Sequence, residues 1–297
     1  MKIHHYLFTA LIALSLCGLS SKTASAQKNN PQMVCIRGNS PEQMLQKGLS
    51  ALGGIKRFVH PGQRVLIVPT LLWNKTPAQG ANANPQLVAA LTRACYRARA
   101  SSVHVLGHTI DPWTKCYKNS GIERASKDAG ARVLPANKAF LYETVENPEG
   151  HTLKKISIHQ DVLDADVIIN VAAVNQSPHF GMTGAFYNLL ELIWNQQPII
   201  NDTTGLALTD LARYCAPSLT IWDGLRIVTR NGPSGKTPDD VRAANFMVLS
   251  GQLVAGEFEA CKLARLNPDS LVYLQTAAKI LGQPLQLSRN QISTIGF

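Results

Sequence analysis

The chain has 297 residues, 45% of them hydrophobic and 16% charged, a balance that excludes a disordered or low-complexity protein and suits one large core or two closely packed lobes. The 29 Lys and Arg outnumber the 19 Asp and Glu, for a net charge of +10, and a surplus of this size invites an anionic small molecule or a cell-envelope component. The positive residues are scattered, with no basic run interleaved with aromatics, so a nucleic-acid groove is excluded.

The first residues have the layout of a cleavable signal peptide: Lys2, an apolar run from Tyr6 to Leu19, then Ala24-Ser25-Ala26 before polar Gln27. The run falls short of the roughly 20 helical residues that cross a bilayer. A lipoprotein site at Cys17 is disfavoured by Leu16, where a small residue is wanted. Residues 1–26 are thus expected to be removed, leaving a periplasmic or secreted α/β domain over 27–297 with no further membrane span. Five cysteines then remain, Cys35, Cys95, Cys116, Cys215 and Cys261, with no Cys-x-x-Cys spacing. Iron-sulfur and structural zinc sites are unsupported; an oxidising compartment allows one or two disulfides, and buried free thiols are the alternative. Oligomeric state cannot be read from the sequence.

Along the mature chain, Ser40-Pro41-Glu42 caps an amphipathic helix carrying Met44, Leu45, Leu49, Leu52 and Ile55 and reaching to about Val59. Pro61-Gly62 turns into a buried strand over Arg64–Thr70, and Asn84-Pro85 caps a helix with Leu87, Val88, Leu91 and Cys95. A strand from Val103 to Gly107, a polar helix over about 122–129 and a strand over 131–135 continue the alternation. This pattern predicts an α/β fold, a mostly parallel open sheet with helices on both faces. Residues 143–161 form an excursion with a strand around Ile156 and Ile158. Asp166–Asn170 is the next buried strand, followed by a long loop and a helix from Gly184 to Asn195. A helix over Leu206–Tyr214, strands at Leu219–Trp222 and Phe246–Ser250, and helices at about 254–266 and 269–281 close the ordered chain.

In such sheets ligands sit beyond the carboxyl ends of the strands, where loops converge and helix N-termini point free N–H groups at the cleft. The rule selects Thr70, Trp73, Asn74 and Lys75; Gly107, His108 and Asp111; Asn175, His179, Gly181 and Thr183; Asp223 and Gly224; and Ser250. His179-Phe-Gly-Met-Thr183-Gly184 places two glycines and a hydroxyl directly before a helix, suited either to holding an anion or to a tight loop entry with Thr183 as cap. Gly232-Pro-Ser-Gly235-Lys236 has the composition of a phosphate-cradling loop without the P-loop spacing, and a surface turn is the default. His108, Asp111, His179 and Asp223 are ligand types that zinc, manganese or iron accept, but their spacing matches no ligand motif, and no metal site is assigned. There is no Gly-x-Ser-x-Gly elbow and no local motif for a cysteine nucleophile. His179, Asp223 and Asn188 are the candidate catalytic residues; Thr70, Asn175, Thr183, Gly184, Gly232 and Lys236 are the candidate ligand-binding ones.

Taken in order, Leu52-Gly-Gly-Ile with Pro61-Gly-Gln-Arg-Val-Leu-Ile, Asp164-Ala-Asp-Val-Ile-Ile-Asn170, Thr183-Gly-Ala-Phe-Tyr-Asn188, Asp223-Gly224, Asn231-Gly-Pro-Ser-Gly235 and Ser250 with Val254-Ala255 resemble the bacterial domain of unknown function 362 family from about residue 42 to 281. The departures bear on function. Where the family has Lys-Pro-Asn, this chain has Val68-Pro69-Thr70; its Pro-x-x-Lys-Thr-His loop resembles Ala172-Ala-Val-Asn175-Gln-Ser177, with a histidine two places on at His179. Its Lys-Asn pair is Tyr187-Asn188 here, and its Val-Asp is Gly256-Glu257. The resemblance therefore implies either an exported enzyme with an altered cleft or a non-catalytic ligand-binding protein that has lost three cationic positions. The ferredoxin segment that many relatives carry has no cysteine set here, and no cofactor is implied.

Overall fold

A computed structural model describes residues 30–296, so the expected signal peptide lies outside the described residues. The strands are β1 (Met33–Arg37), β2 (Arg64–Pro69), β3 (Ser102–Val105), β4 (Arg132–Val133), β5 (Tyr142–Glu146), β6 (Lys155–His159), β7 (Val167–Ala173), β8 (Asn175–Ser177), β9 (Gly181–Thr183), β10 (Leu219–Val228), β11 (Val241–Ser250) and β12 (Ile292–Ile295). The helices are α1 (Pro41–Ala51), α2 (Pro85–Arg97), α3 (Trp113–Asn119), α4 (Ile122–Asp128), α5 (Gln160–Asp164), α6 (Ala185–Asn188), α7 (Gln197–Ile200), α8 (Leu206–Cys215), α9 (Leu253–Leu263) and α10 (Tyr273–Leu281).

Eight strands form one sheet in the order β12-β1-β11-β10-β7-β2-β3-β4. Only β11 runs against its two neighbours; the other pairings are parallel. The expected α/β architecture is therefore present. Side chains alternate across it: Val65, Ile67, Val167, Ile169 and Val171 face α1, α2 and α4, whereas Leu66, Val68, Ile168 and Ala172 face α6, α8, α9 and α10. From β2 the chain moves outward to β3 and β4, then returns to lay β7 on the other side of β2. The topological switch point, where two such windings part and ligands usually enter, lies between the carboxyl ends of β2 and β7.

Several elements differ from expectation for identifiable reasons. The helix expected to reach Val59 ends at Ala51, because Gly53 (φ +98°) and Gly54 (φ +92°) unwind it and the Gly54 amide returns to the Leu49 carbonyl. The helix expected over 184–195 shortens to α6 and a 3₁₀ turn, Leu189–Leu192. Side chains three apart eclipse in a 3₁₀ turn, and Asn188 and Glu191 both turn inward there. β10 and β11 run on past their expected limits as an antiparallel ladder, with a bulge between Gly224 and Arg226. The two helices expected to close the chain are followed by β12, which pairs in parallel with β1. The excursion at 143–161 contains the hairpin β5–β6, whose Tyr142, Ile156 and Ile158 join the buried cluster of the α6–α10 face. All five cysteines are buried free thiols, and burial pushes those of Cys35, Cys95, Cys215 and Cys261 up to about 12. No disulfide of the kind the compartment would allow is formed among them.

Candidate functional site at the carboxyl edge of the sheet

At the switch point the side chains nominated by sequence meet, and they meet one another. The Thr70 hydroxyl donates to Asn188 Oδ1 at 2.6 Å and accepts from the Ala173 amide at 2.9 Å, closing the gap between the ends of β2 and β7. The Asn188 amide nitrogen donates to the Val68 carbonyl and to Asn170 Oδ1, both at 2.8 Å. Asn170 in turn donates to the Ala185 carbonyl at 2.8 Å. Thr70, Asn170 and Asn188 are all buried. Each donor in this chain has an acceptor, the state in which a buried polar network stabilises a fold.

The neighbouring candidates are consumed in the same way. Asn175 Oδ1 accepts from the Val228 amide at 2.7 Å while its nitrogen reaches the Ala81 carbonyl at 3.3 Å. The Thr183 hydroxyl donates to the Asn175 carbonyl at 3.4 Å across the β8–β9 hairpin. Asp223 takes the Asn84 amide on one oxygen at 2.7 Å and the Leu225 amide on the other at 3.1 Å. Burial raises its carboxyl to about 6, against the pull of those two amides.

The anion position before α6 is occupied by the chain's own carboxylate. Glu257, on α9 and fully buried, accepts from the Ala185 amide at 2.8 Å, from the Tyr273 hydroxyl at 2.8 Å and from Trp222 Nε1. Burial raises its carboxyl, opposed by those donors and the Phe186 amide. Gly184 is required there by close approach: a Cβ would stand 2.5 Å from Glu257 Oε1. The loop at 231–240 repeats the arrangement. Asp240 accepts from the Lys236 amide at 2.8 Å, the Thr237 amide at 3.0 Å and Asn231 Nδ2 at 3.0 Å. The Thr237 and Lys236 amides are the leading causes that hold its carboxyl down at about 2. Gly232 lies against Gln176, its amide donating to Oε1 at 3.2 Å, and the Lys236 side chain is exposed.

The remaining candidates are dispersed. His179 does not join Asn188 and Asp223: at the tip of the β8–β9 hairpin it is exposed, donates from Nε2 to the Ile200 carbonyl at 2.6 Å and packs edge-on against Phe180. It lines a separate cavity of about 110 Å³ with Phe180, Asp202, Thr203, Leu208, Val272 and Tyr273. His108 Nδ1 donates to the Ile193 carbonyl and Asp111 accepts from the Asn74 amide, so the four metal-ligand candidates are engaged at separate places. Among the described residues no cluster of three or more His, Cys, Asp or Glu could hold a metal ion. Lys75 donates to the Gly235 carbonyl at 3.1 Å. Trp73 takes the side-chain oxygen of Asn82 on its backbone amide, Gly107 donates to the Tyr117 hydroxyl, Gly181 turns the hairpin at φ +76°, and Gly224 makes room for the Phe246 ring. Ser250 was placed at the wrong edge: β11 is antiparallel, so its end lies beside Met33 and Thr220, at the amino edge of the sheet.

One acid at this edge escaped the sequence reading. Glu191 is fully buried, holds the Leu71 amide on both oxygens at 3.0 and 3.2 Å, and has its carboxyl raised well above the ordinary range by burial. Its signal was a single carboxylate inside the apolar run Leu189-Leu-Glu-Leu-Ile193.

Residues 65–262 match the family described as Domain of unknown function (DUF362). The chain belongs to the DUF362 family. The chain is 25% identical over 237 residues to the thylakoid-associated protein sll1697 of Synechocystis sp. (strain ATCC 27184 / PCC 6803 / Kazusa), covering 75% of this chain and 70% of that one. Among solved structures, the lactate racemase apoprotein from Thermoanaerobacterium thermosaccharolyticum aligns over 78% of this chain at 11% identity with a TM-score of 0.49. A Thermotoga maritima protein aligns over 77% at 14% identity with a TM-score of 0.41. This DUF362 chain spans 57% and 60% of those two proteins, respectively.

Proposed function

We propose that this DUF362 chain is an exported, non-catalytic binding protein that takes a small uncharged ligand in the cavity beside His179. The observation that carries the reading is the closure of the switch point: Thr70, Asn175, Thr183, Asn188 and Asp223 are buried and hydrogen-bonded within the chain, and the anion position is filled by Glu257. A catalytic reading would need one of these groups facing a substrate. The cavity at His179 supports binding instead. Its walls are largely apolar, from Phe180, Leu208, Val272 and Tyr273. The His179 proton is committed through Nε2 to Ile200, which leaves Nδ1 as an acceptor. Asp202 at its edge has both oxygens engaged by Thr204 and Ala207; these bonds outweigh burial and hold its carboxyl low, so an anion is disfavoured. At about 110 Å³ the space approaches that of an apolar cavity of roughly 150 Å³ that admits benzene, and a phenol-sized molecule with one donor suits it. Export rests on the leader-like residues 1–26.

The test is calorimetric titration of the purified protein with phenol and with benzoate. Binding of phenol but not benzoate, weakened at least ten-fold by Leu208→Trp, is expected. Preference for the anion, or chemical turnover of any bound molecule, would overturn the reading. Intact mass of protein from the cell envelope, beginning at Gln27 if the leader is removed, tests export separately.

A further inference from the structure

The described residues include seven large apolar side chains that are exposed, and four of them, Ile110, Trp113 at the start of α3, Phe140 and Trp194, lie on the segments that leave the carboxyl ends of β3 and β4 or follow α6. Both exposed tryptophans are in this group, and Phe140, at 76%, is the most exposed of the seven. The loops are fastened together. Trp194 stacks on His108 with ring centroids 5.4 Å apart and planes within 4°, and Tyr142 packs against both rings. Phe140 sits in the 3₁₀ turn that leads into Tyr142. Trp113 meets the Tyr117 ring edge-on, and the Tyr117 hydroxyl sits between the carbonyls of Gly107 and Leu134, 2.8 and 2.9 Å away and one from each loop, with its single proton for either. The aromatic rim is thus held by buried hydrogen bonds while its outer atoms face solvent.

Three lysines flank it. Lys115 and Lys118 on α3 and Lys138 next to Phe140 are exposed, and none forms an ion pair among the described residues. Of the nearby acids, Asp111 is turned to the Asn74 amide, and Glu143 alternates to the face of β5 opposite Tyr142. A rim of tryptophan and phenylalanine set among unpaired lysines has the composition that settles at the headgroup level of a bilayer, the rings in the interface and the ammonium groups on lipid phosphates.

From this juxtaposition we infer that the face formed by Ile110, Trp113, Phe140 and Trp194 docks peripherally on an anionic phospholipid surface. Without Lys2 and Lys22 of the leader, the +10 of the full sequence becomes +8, which adds long-range attraction of the same sign, and no helix among the described residues is long and apolar enough to cross the membrane. Lipid phosphate, rather than an acidic protein, is the occupant because the apolar contacts come from loop tips of unequal exposure, which a fluid interface accommodates. The face shares no residue with the cavity beside His179, so the inference stands whether or not that cavity binds a ligand.

Co-sedimentation with vesicles tests it, using equal parts phosphatidylglycerol and phosphatidylcholine against phosphatidylcholine alone. The protein is expected to sediment with the anionic vesicles, with a blue shift of tryptophan emission, and to stay in solution with the neutral ones. A lysine near an anionic surface contributes a factor of about five in partitioning, so Lys115→Glu with Lys118→Glu should lower the partition coefficient more than about 25-fold. Phe140→Ser, at a position with little folded-state packing to lose, should abolish the blue shift while leaving the melting temperature unchanged. Equal sedimentation of wild type and Phe140→Ser, no sedimentation with anionic vesicles at low salt, or a self-associated species in ultracentrifugation that Phe140→Ser returns to monomer would each overturn the inference.

Discussion

Removing the Glu257 carboxylate should nearly exhaust the stability of the protein. Glu257→Ala leaves Trp222 Nε1, the Ala185 amide and the Tyr273 hydroxyl buried without an acceptor. Each of the three orphans costs about 1–3 kcal/mol, so the sum is on the order of 3–9 kcal/mol, against a total stability for ordinary domains of about 5–15 kcal/mol. Glu257→Gln is isosteric: its oxygen can still accept from Trp222 and Ala185, while its nitrogen must donate to a Tyr273 hydroxyl that rotates to accept, at a cost of about 1–2 kcal/mol. Wild type also separates from both variants by pH. Burial raises the Glu257 carboxyl, so the folded state binds that proton more tightly than the unfolded one. The resulting stability is fully present below the unfolded carboxylate value and is lost as pH rises through the folded one. The gap between wild type and Glu257→Gln should therefore narrow as pH rises above the ordinary carboxylate value of 4.5. Urea unfolding followed by tryptophan emission measures both quantities. A Glu257→Ala protein within about 0.5 kcal/mol of wild type, a difference at the level of ordinary surface substitutions, would refute the reasoning, as would a gap that widens with pH.

Asp223 supplies a second, independent pH dependence: its folded value of about 6 lies above the ordinary 3.8, so on the order of 3 kcal/mol of stability is lost between about pH 4 and pH 7. Asp223→Asn should flatten that part of the curve, and parallel wild-type and variant curves in urea titrations would contradict the assignment. Gly184→Ala drives a methyl group against Glu257 Oε1 and should destabilise by about 1–3 kcal/mol. In the Glu257→Ala background the same change should cost less, and a thermal-melt double-mutant cycle showing simple additivity would count against the contact.

Local chemistry was readable wherever one residue decides the outcome. Asn84 caps α2 through the Gln86 and Leu87 amides, and the apolar runs at 65–69 and 167–171 become the central strands. β1 (Met33–Arg37) and β12 (Ile292–Ile295) stand outside the helix-turn-strand alternation that marks β2, β3 and β4, and each is defined by the distant strand that pairs with it. At the candidate site, the rule of carboxyl ends named Thr70, Asn175, Thr183 and Asp223, which lie at that edge, but not what they face. Thr70 and Asn188 meet across 118 positions of sequence, and Glu257 reaches Ala185 across 72. A residue aimed at a ligand and one aimed at a distant partner in the same chain look identical in a local pattern. Ser250 was misplaced for a related reason, since the direction of β11 is set by its pairing with β10 and β1 rather than by its own residues.

The central claim is that the switch point of this DUF362 chain is sealed by its own polar network. Its most direct test is the unfolding free energy of Thr70→Val, Asn188→Ala and the double variant. Asn188 holds Thr70, Val68 and Asn170, so each single change should destabilise by about 2–4 kcal/mol, with the double falling short of the sum by at least about 1 kcal/mol because the two share a bond. Residues kept for a ligand rather than for the fold can be replaced with unchanged or increased stability, and that result for either single variant would contradict the account.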